Sequence, residues 1–174
     1  MELLDIMKKR RSVRTYTEET IPEEKLTAIL QAGLLSASGK AIRPWEFIVV
    51  RKKETLNAMS KCRVAGSKML EGADCAIVVL GDEEKSDVWI EDCSVAMANM
   101  HLMADSLGLG SCWIQGRLRQ APGERTTEEY LRELLKFPAN FRLEAILSLG
   151  MIEKHPDAYE LEKLPMEKIH REEF

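Results

Sequence analysis

Arg10-Arg11-Ser12-Val13-Arg14 places three guanidiniums and a hydroxyl in five residues of a chain whose net charge is negative. A guanidinium presents paired, coplanar N–H donors that match phosphate oxygens, and a serine adds a short donor for one more. The chemistry this set could perform is capture of a phosphate-bearing molecule. A solvated basic turn completing a helix dipole accounts for the same residues equally well. A second segment, Ser36 to Pro44, holds the hydroxyls of Ser36 and Ser38 and the small residues Ala37, Gly39 and Ala41. Gly39 is expected to supply unusual dihedrals and close backbone approach, and Pro44 to fix entry into a strand. An ordinary helix-to-strand loop has the same composition. In a third segment, Gly108 suits a left-handed helix cap and Gly110 a tight turn into the strand Ser111–Gln115. Because Gly108-x-Gly110 precedes a strand, it is not the dinucleotide fingerprint. Gln115-Gly116 at the strand end is left without a structural reason.

Nothing local suggests a nucleophilic triad or a metal centre. Cys62, Cys75, Cys93 and Cys112 lie 13, 18 and 19 residues apart, which fits neither a zinc site nor a disulfide framework. They read as inert thiols. His101, His155 and His170 are isolated from one another and read as surface or satisfied side chains.

The elements that must position these residues follow from period and punctuation. Leu3, Leu4, Ile6 and Met7 share a helical face within Glu2–Arg10, and Thr20-Ile-Pro-Glu23 reads as a capping box opening a helix through Leu34. Strands are expected over Trp45–Val50, Ala73–Leu80, Ser111–Gln115 and Phe141–Gly150, with a helix over Lys53–Lys61. The continuous apolar run of the second strand requires burial on both faces. Thr126-x-x-Glu129 caps a further helix. Between Val88 and Leu107 small and apolar residues occupy nearly every face, so that helix is expected to be buried all round, against a symmetry mate or under a partner's arm. The order predicts an α+β fold with helices around one sheet.

The 174 residues carry 25 Lys and Arg against 29 Asp and Glu, a net charge of −4, which argues against a nucleic-acid partner. No apolar run is long enough to span a bilayer, and Met1–Lys9 lacks the regions of a secretory signal. The expectation is a cytoplasmic protein with no membrane partner.

Taken together, the R-R-S-x-R opening, the loop ending Pro44-Trp-Glu-Phe47, the apolar helix, Gly108-Leu-Gly-x-x-Trp113 and the final strand Ala145–Gly150 resemble the nitroreductase family of flavin enzymes, in the same order and over most of the chain. The tail Lys163–His170 is similar to that family's C-terminal segment. The resemblance implies a nitroreductase-like FMN-binding fold with a mainly antiparallel central sheet flanked by helices and a long buried central helix. It implies a homodimer with both chains contributing to each flavin site. It also implies a single domain over 1–174, in which 151–174 is an arm packing on the partner subunit.

By the same resemblance, Arg10 and Ser12 contact the phosphate or ribityl chain of FMN, together with Arg11, and Arg14 the pyrimidine edge. Ser36, Ala37, Ser38, Gly39, Ala41 and Arg43 form a cofactor loop. Ile114, Gln115 and Gly116 lie against the ring, with the Gly116 amide a donor near N5, and Lys163 stands where the family usually has an arginine reaching the phosphate. Arg14 and Gly116 tune the flavin; no side chain is catalytic and no metal is expected. Ala41 replaces the usual asparagine and Arg43 the usual glutamine, removing a side-chain amide and adding a cation.

The implied activity is an NADH- or NADPH-dependent oxidoreductase working by ping-pong hydride transfer through N5 to a small planar acceptor, such as a nitroaromatic, a quinone or an enone. The cofactor carries the chemistry, which explains the missing triad. A non-catalytic FMN-binding or storage protein, a dedicated reaction such as dehalogenation, and a flavin-free interaction module are the alternatives.

Overall fold

The computed structural model describes residues 2–174; Met1, the first position of the expected signal-free start and of the expected 1–174 domain, lies outside the described residues. Four strands, β1 (Trp45–Val50), β2 (Cys75–Asp82), β3 (Gly110–Gln115) and β6 (Phe141–Gly150), form one antiparallel sheet in the order β1-β2-β6-β3. Around it stand α1 (Leu3–Lys9), α2 (Glu23–Leu34), α3 (Lys53–Met59), α4 (Trp89–Ser106) and α5 (Thr127–Leu135). The Gly116–Thr126 stretch folds into a two-stranded ribbon, β4 (Gln120–Ala121) and β5 (Arg125–Thr126), which the sequence pattern does not announce.

Strand alternation divides the core in two. Ile77 and Val79 of β2 and Leu147 and Leu149 of β6 face α2 and α4, among Ile29, Met97 and Met100. Ala76, Val78 and Leu80 face the other way with Ile146 and Ile114, toward Leu56 of α3 and Leu131 of α5. Every residue of β2 is buried, as its apolar run requires. The β2–β6 register slips between Val79, opposite Ala145, and Leu80, opposite Leu143, so Glu144 is an extra residue at a bulge.

One local expectation is corrected. Thr20 does not cap α2; the helix starts at Glu23 with Pro22 as its N-cap and no side-chain cap bond. Tertiary contacts hold this entry instead: Asp74 accepts the Ile21 N–H at 3.0 Å and Arg51 donates to the Ile21 carbonyl at 3.0 Å. By contrast, the Thr126–Glu129 box is complete in both directions. Within one chain α4 is covered on most faces but not all, and the expected partner contact would fall on the face left open. Glu91, Val95 and Ala98 form an exposed stripe at helical spacing, and Leu3, Leu4 and Met7 of α1 and Leu34 and Leu35 at the end of α2 are exposed too.

Candidate cofactor site

The Arg10–Arg14 segment leaves α1 and runs as a parallel addition to the edge of β3. Ser12 bridges Ser111, and the Val13 N–H donates to the Ser111 carbonyl at 2.9 Å. Val13 is buried while Ser12 and Arg14 are exposed, so the alternation turns hydroxyl and guanidinium outward on one side. Arg11 is turned elsewhere: its Nη1 donates to the Asp157 carbonyl and its guanidinium lies 4.4 Å from the centre of the Tyr159 ring. Arg11 therefore holds the C-terminal arm, and the structure does not bring it to Ser12 and Arg14. Downstream, the Tyr16 hydroxyl donates to the Val13 carbonyl at 2.8 Å and stands 2.7 Å from Ser148 Oγ, which fixes the end of the segment against β6.

Two residues to which the sequence assigned no part in the site stand beside this segment. Lys68 lines the same open cavity of about 440 Å³ as Arg14 and Glu71, so two cations and one carboxylate share one depression. A lone lysine in an irregular stretch before a buried strand was its only signal. His101 on α4 accepts from Arg10 Nη1 at 2.9 Å. Burial and the neighbouring Arg10 charge push its pKa down to about 4.

At the far end of β3, Gln115 is committed to its own chain. Its Oε1 accepts from Trp113 Nε1 at 2.9 Å, and its Nε2 donates to the Glu144 carbonyl at 3.3 Å. The Gly116 N–H also donates to the Glu144 carbonyl, at 3.1 Å, as does that of Arg117 at 2.9 Å. The Gly116 amide, expected as a donor to the cofactor, is here engaged by the Glu144 carbonyl at the bulge. Gly116 has a packing reason to be glycine, since a Cβ there would stand 2.5 Å from Leu143 Cδ2. Ile114 is buried beneath this end in the α3/α5 core. The Glu144 carboxyl is buried, takes a 3.3 Å bond from Ser94 Oγ on one oxygen, and has no partner on the other. Burial raises its pKa.

Beyond Gly116 a cavity of about 320 Å³ is lined by Trp89, Arg117, Leu118, Arg119 and Arg142, among others. Arg142 is neutralised by Glu83 at 3.1 Å and Glu128 at 2.8 Å. Arg117 and Arg119 form no ion pair among the described residues, which leaves the mouth with a positive edge.

The Ser36–Pro44 loop is built differently from expectation. Left-handed backbone occurs at Lys40, Ala41 and Arg43, with φ of 52°, 56° and 52°, and not at Gly39. Gly39 is small because a Cβ would lie 2.8 Å from Val88 Cγ2, and its N–H donates to Asp92 Oδ1 at 2.8 Å. Ser38 Oγ accepts from the Arg43 N–H at 2.9 Å, closing the loop. Ser36 is buried and spent internally, donating to the Ala32 carbonyl and accepting from Asn99 Nδ2. Ala37, Ala41 and Arg43 are exposed at the N-terminal end of α4. Three non-glycine residues in sparsely populated backbone cost of order 1–3 kcal/mol each. Such strain persists where the loop's presented shape matters.

The loop and the Arg10–Arg14 segment sit at opposite ends of α4, near Asp92 and His101 respectively. Lys163 is exposed and ion-paired with Glu160 at 2.8 Å, and no hydrogen bond or ion pair ties it to Arg10–Arg14 among the described residues. The arm does fold back on its own chain as far as Tyr159, whose N–H donates to the Lys8 carbonyl at 3.0 Å. All four cysteines are free and buried. No helix among the described residues is long and apolar enough to cross a membrane, and no cluster of metal-ligating side chains occurs among them.

A family model described as the nitroreductase family matches residues 7–62 and 59–151. A protein of Archaeoglobus fulgidus, provisionally named NADH dehydrogenase/NAD(P)H nitroreductase, is 39% identical over 178 residues, covering 99% of each chain. Among solved structures, an FMN-dependent nitroreductase of Clostridium difficile superposes with a TM-score of 0.95 at 44% identity, covering 98% of this chain and 99% of that one. A provisionally named nitroreductase of Desulfovibrio desulfuricans, solved in complex with FMN, superposes with a TM-score of 0.80 at 25% identity over 100% and 98% of the two chains.

Proposed function

Because the chain belongs to the nitroreductase family of NAD(P)H oxidoreductases, we propose that it binds FMN as a homodimer and uses NADH or NADPH to reduce a planar, electron-poor acceptor such as a nitroaromatic, a quinone or an enone. The observation that carries this reading is the outward row Ser12 and Arg14 beside β3, flanked by Arg10 at one end and joined by Lys68 across an open cavity. This donor set fits the cofactor. A phosphate bearing about two negative charges needs guanidinium and hydroxyl donors, which Arg10 and Ser12 supply. An electron-rich ring edge needs fixed cations, which Arg14 and Lys68 supply.

Bound FMN supplies the redox chemistry, taking two electrons and a proton as hydride from NAD(P)H and returning them to the acceptor, whose further proton comes from solvent. The protein's own work is binding and electrostatics. Arg14 and Lys68 stabilise the negative charge that reduction brings, Trp89 and Leu118 offer apolar walls to a flat acceptor, and Arg117 and Arg119 give that cavity its cationic edge. The exposed stripe of Glu91, Val95 and Ala98 with Leu34 and Leu35 is the face for a second copy, whose Ala37–Arg43 loop completes the site. Beyond Tyr159 the arm exposes Leu161, Leu164, Met166 and Ile169, residues suited to lying across that second copy, where Lys163 comes within reach of the phosphate.

An absorption spectrum of the purified protein with added FMN, before and after anaerobic NAD(P)H, tests this reading. A bound flavin band that bleaches with NAD(P)H and returns with a nitroaromatic or quinone is expected. Bound flavin that resists bleaching makes the protein a flavin carrier; colourless protein that takes up no FMN overturns the reading.

A further inference from the structure

His101 Nε2 faces Arg10 Nη1 at 2.9 Å, and His101 Nδ1 faces Ser111 Oγ at 2.6 Å. A guanidinium only donates, so Nε2 must carry the lone pair, and the ring proton then sits on Nδ1 and is donated to the serine. The imidazole is neutral in this arrangement. Its depressed pKa, caused by burial and by Arg10, agrees. Ser111 is the residue that Ser12 bridges, so one buried ring ties the end of α1, the body of α4 and the start of β3 together.

We propose that His101 is a positioning residue for cofactor binding: its neutral imidazole holds the Arg10 guanidinium by one N–H and aims the remaining donors at the FMN phosphate. The inference rests on the flavin reading above and adds a residue to it. Arginine side chains are usually fixed by carboxylates, but a carboxylate would cancel the charge that a phosphate needs. A neutral acceptor orients without neutralising. The chain keeps its nearby carboxylate away from Arg10: Asp105, one turn along α4, is bonded to His155 at 2.6 Å. Among the described residues Arg10 has no carboxylate partner. Ordering a long, half-exposed side chain in advance removes an entropy cost from ligand binding.

The test compares FMN with riboflavin, which lacks the phosphate, by fluorescence titration of the flavin-depleted full-length chain. His101→Leu keeps the bulk and removes the acceptor; His101→Gln restores an acceptor oxygen. His101→Leu is expected to weaken FMN about tenfold to a hundredfold, the range for one hydrogen bond to a charged group, and to leave riboflavin nearly unchanged. His101→Gln is expected to recover most of the loss, and Arg10→Ala with His101→Leu to bind FMN no more weakly than Arg10→Ala alone. Equal losses for both flavins, an unchanged FMN affinity, or additive losses overturn the assignment while leaving the flavin reading standing; wild-type protein that binds neither flavin overturns both. Nitrogen-15 NMR of the wild-type histidines at pH 7 reads the ring without any variant: a neutral Nδ1–H tautomer at His101 is expected, and an Nε2–H tautomer or an imidazolium overturns the proposal.

Discussion

Asp105 Oδ1 and His155 Nε2 stand 2.6 Å apart, fastening the C-terminal end of α4 to the arm that follows β6. The other ring nitrogen of His155 faces the Pro156 carbonyl at 2.7 Å, so both nitrogens are engaged. The second Asp105 oxygen is buried with no partner, so this carboxylate depends on His155. His155→Ala is expected to cost about 3 kcal/mol in urea unfolding, because it leaves a buried charge uncompensated. Limited proteolysis is expected to cut residues 152–174 faster. A variant as stable and as resistant as wild type shows that the pair does not hold the arm.

His101 makes stability pH-dependent. Its ring stays neutral in the folded chain, with the pKa depressed to about 4, and regains the ordinary value of 6.5 on unfolding. Between about 6.5 and 4 only the unfolded chain takes up this proton, so stability present above that window falls as pH falls through it, by about 3 kcal/mol in full. Denaturant unfolding between pH 7 and 5 is expected to show this slope, and His101→Leu to flatten it. Asp82 and Glu129, whose pKa values are lowered, act below the ordinary carboxylate range, whereas Glu144, whose pKa burial raises, acts above it with the opposite sign, so the difference between wild type and His101→Leu is what isolates the histidine.

Arg14 and Lys68 share a cavity on the side of the segment where the ring edge is proposed to lie. Removing either cation, as Arg14→Ala or Lys68→Ala, is expected to make the two-electron potential of bound flavin more negative by about 30 mV, a tenfold loss in preference for the reduced form. Spectroelectrochemical titration measures it. A potential unmoved in both variants places the ring edge elsewhere.

Gly116→Ala puts a methyl 2.5 Å from Leu143 Cδ2. Overpacking of this kind costs about 1–3 kcal/mol, and thermal unfolding is expected to show it. Combining it with Leu143→Ala is expected to give less than the sum of the two losses, since the cavity made by one receives the methyl of the other. Full additivity would mean that the glycine is needed for another reason.

Strands β1 and β6 and the capping box of α5 were legible because their causes are local: β-branched runs bounded by turn residues, and a threonine with a glutamate three residues on. The box expected at Thr20 was not formed, because Asp74 and Arg51, distant in sequence, take both backbone groups of Ile21. The same limit hid the contacts of His101, whose partners lie 91 and 10 residues away, and those of Arg11 with Asp157 and Tyr159. Gly39 was credited with a dihedral freedom that its neighbours Lys40, Ala41 and Arg43 exercise instead. Composition shows that such a loop is unusual, and only packing against Val88 and Asp92 shows where.

In the proposed dimer, where the exposed stripe on α4 joins two copies, cofactor affinity becomes a quantity that depends on protein concentration. With a loop from a second copy needed to complete each site, association and flavin uptake become linked equilibria, and each strengthens the other by the same factor. Dilution is then expected to release flavin and lower activity per chain, and excess FMN to restore both. Val95→Glu, placing a charge in the stripe, is expected to shift sedimentation toward the monomer and to weaken FMN binding without touching any residue of the phosphate pocket.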